Sequence, residues 1–125
     1  MRAIVVADSG SALSSLTSAL AAFDGIEIVR HASGRTRIEA LVRSYEPELV
    51  LIDEMRWPPQ ALARIAEARR AAPDASIVVL AERLEGNWLA DALRGGAAAV
   101  MPAGADPDTF RQVLSEVLAR IPAAA

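Results

Sequence analysis

Two aspartates of this sequence each follow a short apolar run, and together they could form an acidic site. Asp8 comes directly after residues 3–7, and Asp53 comes directly after residues 49–52. If these two runs are neighbouring strands of a parallel sheet, both carboxylates lie at the edge where such sheets bind ligands. Two converging carboxylates with few basic neighbours favour a hard divalent cation. The alternative is that each aspartate only caps a helix or a turn.

Short apolar runs alternate with segments of helical periodicity along the whole chain. Four of the five runs are rich in β-branched residues, as buried strands are, whereas the fifth is rich in alanine. The runs span residues 3–7, 26–29, 49–52, 77–80 and 97–101. The clearest helical stripe extends from Phe110 to Ile121, and Asp106-Pro107 supplies an N-cap and a first-turn proline for that helix. This alternation predicts an α/β fold with a doubly wound parallel sheet and helices on both faces.

The composition is that of a single folded domain, and it excludes several kinds of chemistry. The chain has 125 residues, of which 53% are hydrophobic and 23% charged, so a packed core can form. It contains no cysteine, which excludes disulfides and thiolate metal sites, and its single histidine makes a histidine-based metal site or a Ser-His-Asp triad hard to build. No apolar run approaches the roughly 20 residues that a membrane span needs. We expect a cytoplasmic domain that is not an enzyme.

The charge of the chain also limits its ligands. The 13 basic residues are outnumbered by 16 acidic ones, and the net charge is −3. This balance argues against direct binding of nucleic acid or of an anionic membrane by this segment. Every basic residue is an arginine, so a phosphate-binding Gly-Lys-Ser loop is absent.

Several stretches of the sequence have an order and spacing typical of one family. They are Ile4–Asp8, Pro47–Asp53, Ile77–Ala81, Ala92–Ala97 and, at the entry to the last helix, Ala105–Asp108. Together they resemble the receiver domain of bacterial two-component response regulators, most of all the receivers that precede a helix-turn-helix output domain. The resemblance implies a flavodoxin-like (βα)5 fold with strand order 2-1-3-4-5. It covers residues 1–121 and leaves residues 122–125 as a tail or the start of a linker.

The resemblance also implies roles for three residues. In the family, an aspartate after the third strand accepts a phosphoryl group from a histidine kinase, and Asp53 stands at that position. Asp8 matches a carboxylate ligand of the family's Mg²⁺ ion. Asp53 and the backbone carbonyl of Met55 would complete the protein ligands of that ion.

Four positions depart from the family pattern. Ala7 replaces a second acid after the first strand, and Ala81 replaces a serine or threonine that hydrogen-bonds the phosphoryl group. Val100 stands at the aromatic switch position, and Ala103 stands where the family has a lysine. Phosphoryl transfer depends on positioning and on stabilisation of negative charge on the equatorial oxygens. The loss of a fixed cation and of one carboxylate therefore predicts weak Mg²⁺ binding and weak phosphorylation.

The sequence thus predicts an atypical receiver domain that acts as a regulatory and protein-interaction module in phosphorelay signalling. A histidine kinase or another signalling protein would be its partner, and its first and last helices would bind an output domain or a second copy. One alternative is a conventional Mg²⁺-dependent receiver that controls a DNA-binding output domain, with Arg56 or Arg83 in place of the lysine. Another is a flavodoxin-like binding domain unrelated to signalling.

Overall fold

The computed structural model describes residues 1–7, 10–33, 35–53, 58–81, 86–102 and 106–120. Within these ranges, strands and helices alternate as the sequence predicted. The elements are β1 Arg2–Val6, α1 Gly10–Leu20, β2 Glu27–Ala32, α2 Glu39–Tyr45, β3 Leu49–Asp53, α3 Pro58–Ala71, β4 Ser76–Ala81, α4 Gly86–Gly95, β5 Ala99–Pro102 and α5 Pro107–Ala119. All strand pairs are parallel, in the order β2-β1-β3-β4-β5. The predicted fold class and strand order are confirmed.

Two strands differ from their predicted bounds by more than one residue at an end. β2 continues through Arg30 and His31 to Ala32 because an edge strand pairs through its backbone and can expose polar side chains. β5 begins at Ala99 rather than at Ala97, since the N–H of Ala97 donates to the carbonyl of Ala92 at 3.1 Å and ends α4. The apolar pattern alone shows neither the backbone pairing of β2 with β1 nor the hydrogen bond between Ala97 and Ala92.

The strands bury side chains on both faces of the sheet, under two layers of helices. On one face α2, α3 and α4 pack over residues such as Ile4, Ile52 and Val79, and we call this side the α2–α4 layer. On the other face α1 and α5 pack over residues such as Val5 and Leu51, and we call this side the α1/α5 layer. Successive strand residues alternate between the two layers, as the pleat requires.

Two charged side chains are almost fully buried where α2 meets α3. Arg64 is 8% exposed and Glu67 is 5% exposed. One carboxylate oxygen of Glu67 accepts from the Arg64 guanidinium at 2.5 Å, and the other accepts from the N–H of Ile38 at 2.7 Å. Ile38 precedes α2 and makes no side-chain cap bond, so Glu67 of α3 satisfies a donor at the start of α2.

None of the helices in the described part of the chain combines the length and apolarity that a membrane crossing requires.

Candidate functional site

Asp53 is the last residue of β3, the central strand, at the carboxyl-terminal edge of the sheet. The preceding residues 49–52 are fully buried, and Asp53 is the first residue of the strand that is only half-buried. It lies in register with Leu80 of β4, while Ile52 lies in register with Val6 of β1. The fold therefore presents this carboxylate at the edge where parallel sheets bind ligands, as the sequence predicted.

Two buried methyl groups end the strands on either side of Asp53. Ala7 follows β1, is 5% exposed and donates its N–H to the carbonyl of Ala32 at 3.0 Å. Ala81 ends β4, is fully buried and pairs with Pro102 of β5. Among these five described residues at the strand ends, Asp53 alone has an ionisable side chain. The two alanines supply neither a metal ligand nor a side-chain hydrogen-bond donor.

Val100 occupies the predicted switch position on β5. It is partly buried, lies in register with Val79 and packs against the core of the α2–α4 layer. The site that the resemblance gives to an aromatic ring is thus filled by a short aliphatic side chain in contact with neighbouring apolar groups. A valine at this place has few rotamers to choose from.

The other predicted site residues lie outside the described residues. They are Asp8, Met55 and Ala103, together with the candidate substitute cations Arg56 and Arg83. Within the described ranges, no group of three or more histidine, cysteine, aspartate or glutamate side chains could hold a metal ion. Because Mg²⁺ needs several oxygen ligands, the described residues alone do not fit this ion, and the remaining ligands stay predictions.

Asp106 shows what a carboxylate does when it caps a helix. It precedes α5, and its side chain accepts the N–H of Thr109 at 2.8 Å and the hydroxyl of Thr109 at 3.2 Å. These bonds, the backbone one first, hold the pKa of Asp106 below its usual range. The predicted N-cap is confirmed, and this carboxylate belongs to the helix.

Sequence reasoning missed two groups of charged residues on the α2–α3 side. One is the buried pair Arg64 and Glu67, whose only signal was an i, i+3 spacing within a helix. The other surrounds Glu39, whose carboxylate lies 3.3 Å from Arg43 and 3.1 Å from Arg70. Arg70 is 31 positions away in the chain, so this contact required the packing of α2 on α3.

Comparison with known proteins gives one sequence relative and many similar structures. No protein-family model matches the chain. The transcriptional regulatory protein CitT of Bacillus subtilis is 30% identical over 91 residues, which are 73% of this chain and 40% of CitT. The chain thus spans less than half the length of this relative.

Two solved structures illustrate the range of proteins with this fold. A LuxR-family two-component response regulator from Aurantimonas matches with a TM-score of 0.81 at 19% identity, over 94% of this chain and 84% of that one. A pilus assembly protein, CpaE, from Burkholderia thailandensis matches with a TM-score of 0.75 at 17% identity, over 96% of this chain and 99% of that one. The chain has the receiver fold of response regulators, which confirms the fold that the sequence motifs implied.

Proposed function

We propose that this chain is a receiver domain of two-component signalling in which Asp53 is a weak phosphoacceptor and protein binding is the main activity. The observation that carries the proposal is the half-buried Asp53 at the edge of the sheet, between the buried methyl groups of Ala7 and Ala81. Asp53 offers a carboxylate at the position where the family accepts a phosphoryl group, and Ala7 and Ala81 offer neither a second carboxylate nor a hydroxyl beside it.

The cost of these replacements follows from the chemistry of phosphoryl transfer. Negative charge is spread over three equatorial oxygens in the transition state, and fixed donors or cations must compensate it. Ala81 provides no hydroxyl, Ala7 provides no second carboxylate for Mg²⁺, and no lysine exists in the chain. Removal of one comparable donor elsewhere slows an enzyme by about 10²–10³. Slow and partial phosphorylation of Asp53 is therefore expected.

A phosphoryl group on Asp53 would also have little means of changing the rest of the domain. A ligand shifts a conformational equilibrium only through contacts that differ between the two states. A hydroxyl at position 81 and an aromatic ring at position 100 would provide such contacts, but alanine and valine stand there. We therefore expect α4 and β5 to keep their conformation when the site is occupied.

The interaction surface that fits this proposal is formed by α1 and α5, which pack on the same face of the sheet. No charged residue occurs from Ser9 to Ala22. Ser14 and Ser18 of α1 are exposed, and small neutral side chains lose little rotamer entropy when they are covered. An output domain or a second copy of the chain would bind here, and a histidine kinase remains a candidate partner for Asp53.

Restoration of the missing groups tests the phosphoacceptor proposal. Wild type, Asp53→Asn and the triple variant Ala7→Asp/Ala81→Ser/Ala103→Lys are incubated with acetyl phosphate and Mg²⁺, and phosphorylation is followed by intact mass spectrometry. We expect little modification of wild type, none of Asp53→Asn, and a rate at least about tenfold higher for the triple variant. Rapid modification of wild type, at a rate equal to that of the triple variant, would favour the conventional receiver instead.

Metal binding and switching are tested on the same proteins. We expect no saturation by Mg²⁺ at roughly millimolar concentration, because few oxygen ligands are available. Amide spectra with and without beryllofluoride should overlay across α4 and β5. Calorimetric Mg²⁺ binding well below that concentration, abolished by Asp8→Ala, would contradict the first expectation. Large shifts in α4 and β5 that Asp53→Asn removes would contradict the second.

Self-association through α1 is tested by sedimentation at high protein concentration. Ser14→Glu/Ser18→Glu places two like charges on the exposed side of α1, where a second copy would have to cover them. A wild-type dimer that this variant dissociates supports a homodimer. If both proteins are monomers with identical profiles, the homodimer is excluded and an output domain remains the partner to test.

A further inference from the structure

Positive charge is concentrated in one segment of this acidic chain. Residues 28–45 contain four arginines and one glutamate, so this segment has a net charge of +3. Because the whole chain has a net charge of −3, the remaining residues together have a net charge of −6. The segment includes most of β2 and all of α2, at the edge of the sheet farthest from β5.

Folding gathers further arginines around one carboxylate of α2. Glu39 accepts from Arg70 of α3 at 3.1 Å and from Arg43 at 3.3 Å. The hydrogen bond from Arg70, and then the charges of Arg43 and Arg37, lower the pKa of Glu39. One negative charge thus faces three guanidinium groups.

These guanidinium groups remain accessible to a partner. The side chains of Arg43 and Arg70 are 64% and 60% exposed although both contact Glu39. Arg37 is exposed as well. A guanidinium has five N–H donors in a planar fork, and a bond to Glu39 uses one of them. The geometry leaves room for a second carboxylate on the same groups.

An irregularity between β1 and β2 adds one more arginine to this side. Ala3 pairs with Ile28, but the next residue, Ile4, pairs with Arg30, so Val29 is an extra residue in β2. Residues in register on parallel strands share a face of the sheet, and Ile4 belongs to the core of the α2–α4 layer. Arg30 therefore lies on the α2 side of the edge strand, where it is exposed.

We propose that this arginine surface binds a segment rich in aspartate and glutamate on a partner protein. The surface consists of Arg30, Arg37, Arg43 and Arg70, all of which are exposed. Guanidinium forks bind carboxylates in two-point contacts that a lysine cannot make. A short acidic segment fits on the surface, whereas a nucleic acid or an anionic membrane extends beyond it and meets the negative charge of the other residues. The proposal does not depend on phosphorylation of Asp53.

The experiment uses the full chain and a fluorescent oligoglutamate peptide, with an oligoglutamine peptide of equal length as the neutral probe. Binding is followed by fluorescence anisotropy at about 20 mM salt, where exposed charges are weakly screened. The variant Arg37→Ala/Arg43→Ala is compared with Arg111→Ala/Arg120→Ala, which changes the net charge equally at exposed positions near and in α5. Circular dichroism shows whether each variant is folded.

We expect saturable binding of oligoglutamate by wild type and no binding of oligoglutamine. Arg37→Ala/Arg43→Ala should weaken binding by about tenfold, and the α5 control should weaken it by less than about twofold. Amide shift changes on peptide addition should cluster in residues 30–43 and around Arg70. Absence of saturation by wild type, or equal weakening by both variants, would overturn the proposal. Tighter binding of duplex DNA or of phosphatidylserine vesicles than of oligoglutamate would also overturn it.

Discussion

The α1/α5 layer and the α2–α4 layer are buried by different means. In the described part of the α1/α5 layer, the buried helical side chains are all apolar; they are Leu16, Leu20, Phe110, Leu114 and Val117. The α2–α4 layer has an apolar core too, but it also buries Arg64 and Glu67. The same layer has the exposed ion pairs of Glu39 with Arg43 and Arg70.

This difference follows from the length and the start of α2. The helix has seven residues, and its N-cap position is held by Ile38, which has no side chain that can cap. A helix of two turns has little stability of its own. Glu67 supplies the missing acceptor from α3, and Arg64 compensates the charge of Glu67. The position of α2 thus depends on polar groups of its neighbour, whereas α1 and α5 depend on apolar contact.

Glu67→Ala should have the largest effect on stability. The substitution removes both the carboxylate that compensates Arg64 and the acceptor of the Ile38 N–H. Loss of one member of a buried ion pair destabilises a protein by about 3–5 kcal/mol. Urea denaturation at neutral pH measures the free energy of unfolding. Glu67→Gln keeps an acceptor but not the charge, so its free energy of unfolding should lie between those of wild type and Glu67→Ala. A loss below about 1 kcal/mol for Glu67→Ala would show that the pair of Arg64 and Glu67 behaves like an exposed ion pair.

Leu114→Ala is the matching test in the α1/α5 layer. Leu114 is fully buried in α5, and truncation of such a leucine costs about 2–5 kcal/mol through lost burial and the cavity that remains. Because no charge is involved, we expect this loss to be the same at low and high salt. Leu93→Ala is the control, since Leu93 is 48% exposed and should change stability by about 0.5 kcal/mol or less. A strongly salt-dependent loss for Leu114→Ala would contradict the proposed difference between the layers.

The apolar pattern of the sequence was sufficient to predict the fold class, because both layers bury their strands, whereas the strand order came from the family resemblance. The central strands β1, β3 and β4 are buried on both faces and therefore appear as continuous apolar runs. β2 is an edge strand, and its second half is polar, so the pattern ended too early at Val29. The N-cap at Asp106 was predictable because a cap depends on neighbours within three residues.

The candidate site was predictable in part, for a related reason. Asp53 follows an apolar run, and a strand end at the edge of a parallel sheet can be located from the pattern alone. The contacts of Glu67 with Ile38 and of Glu39 with Arg70 join residues 29 and 31 positions apart. They depend on how α2 packs against α3, and residue type and local spacing contain no information about that register.

Gly96→Ala tests a third feature of the α2–α4 layer, the contact of the α4 terminus with α3. Gly96 has φ +119°, and a Cβ atom there would lie 2.9 Å from Cδ of Arg69. We expect a loss of about 1–3 kcal/mol, because a side chain is strained in this conformation. Gly95→Ala is the matched control: its Cβ would lie 3.5 Å from Cγ2 of Ile65, an ordinary contact. Chemical denaturation measures the stability of both variants and of Arg69→Ala/Gly96→Ala, which keeps the backbone strain but removes the contact with Arg69. Equal stability of Gly95→Ala and Gly96→Ala would exclude both the strain and the contact as causes of instability.

Asp106→Ala should have the smallest effect, and its effect should depend on pH. The bonds from Thr109 favour the charged carboxylate in the folded chain, so the pKa of Asp106 is lowered. This contribution is fully present above the pKa of an aspartate in the unfolded chain, roughly 3.9. It is lost as the pH falls through the lower pKa of the folded state.

The difference in unfolding free energy between wild type and Asp106→Ala should therefore be constant near neutral pH and should shrink below about pH 4. Asp106→Asn is the control, because asparagine is also a good N-cap but has no charge to lose. At neutral pH, the free energy of unfolding of Asp106→Asn should be closer to that of wild type than the free energy of unfolding of Asp106→Ala is. Denaturation curves at a series of pH values measure these differences. If the difference in unfolding free energy between wild type and Asp106→Ala stays the same at pH values well below the lowered pKa, the charged form of the carboxylate does not stabilise α5. The polarity of the cap alone then accounts for the start of this helix.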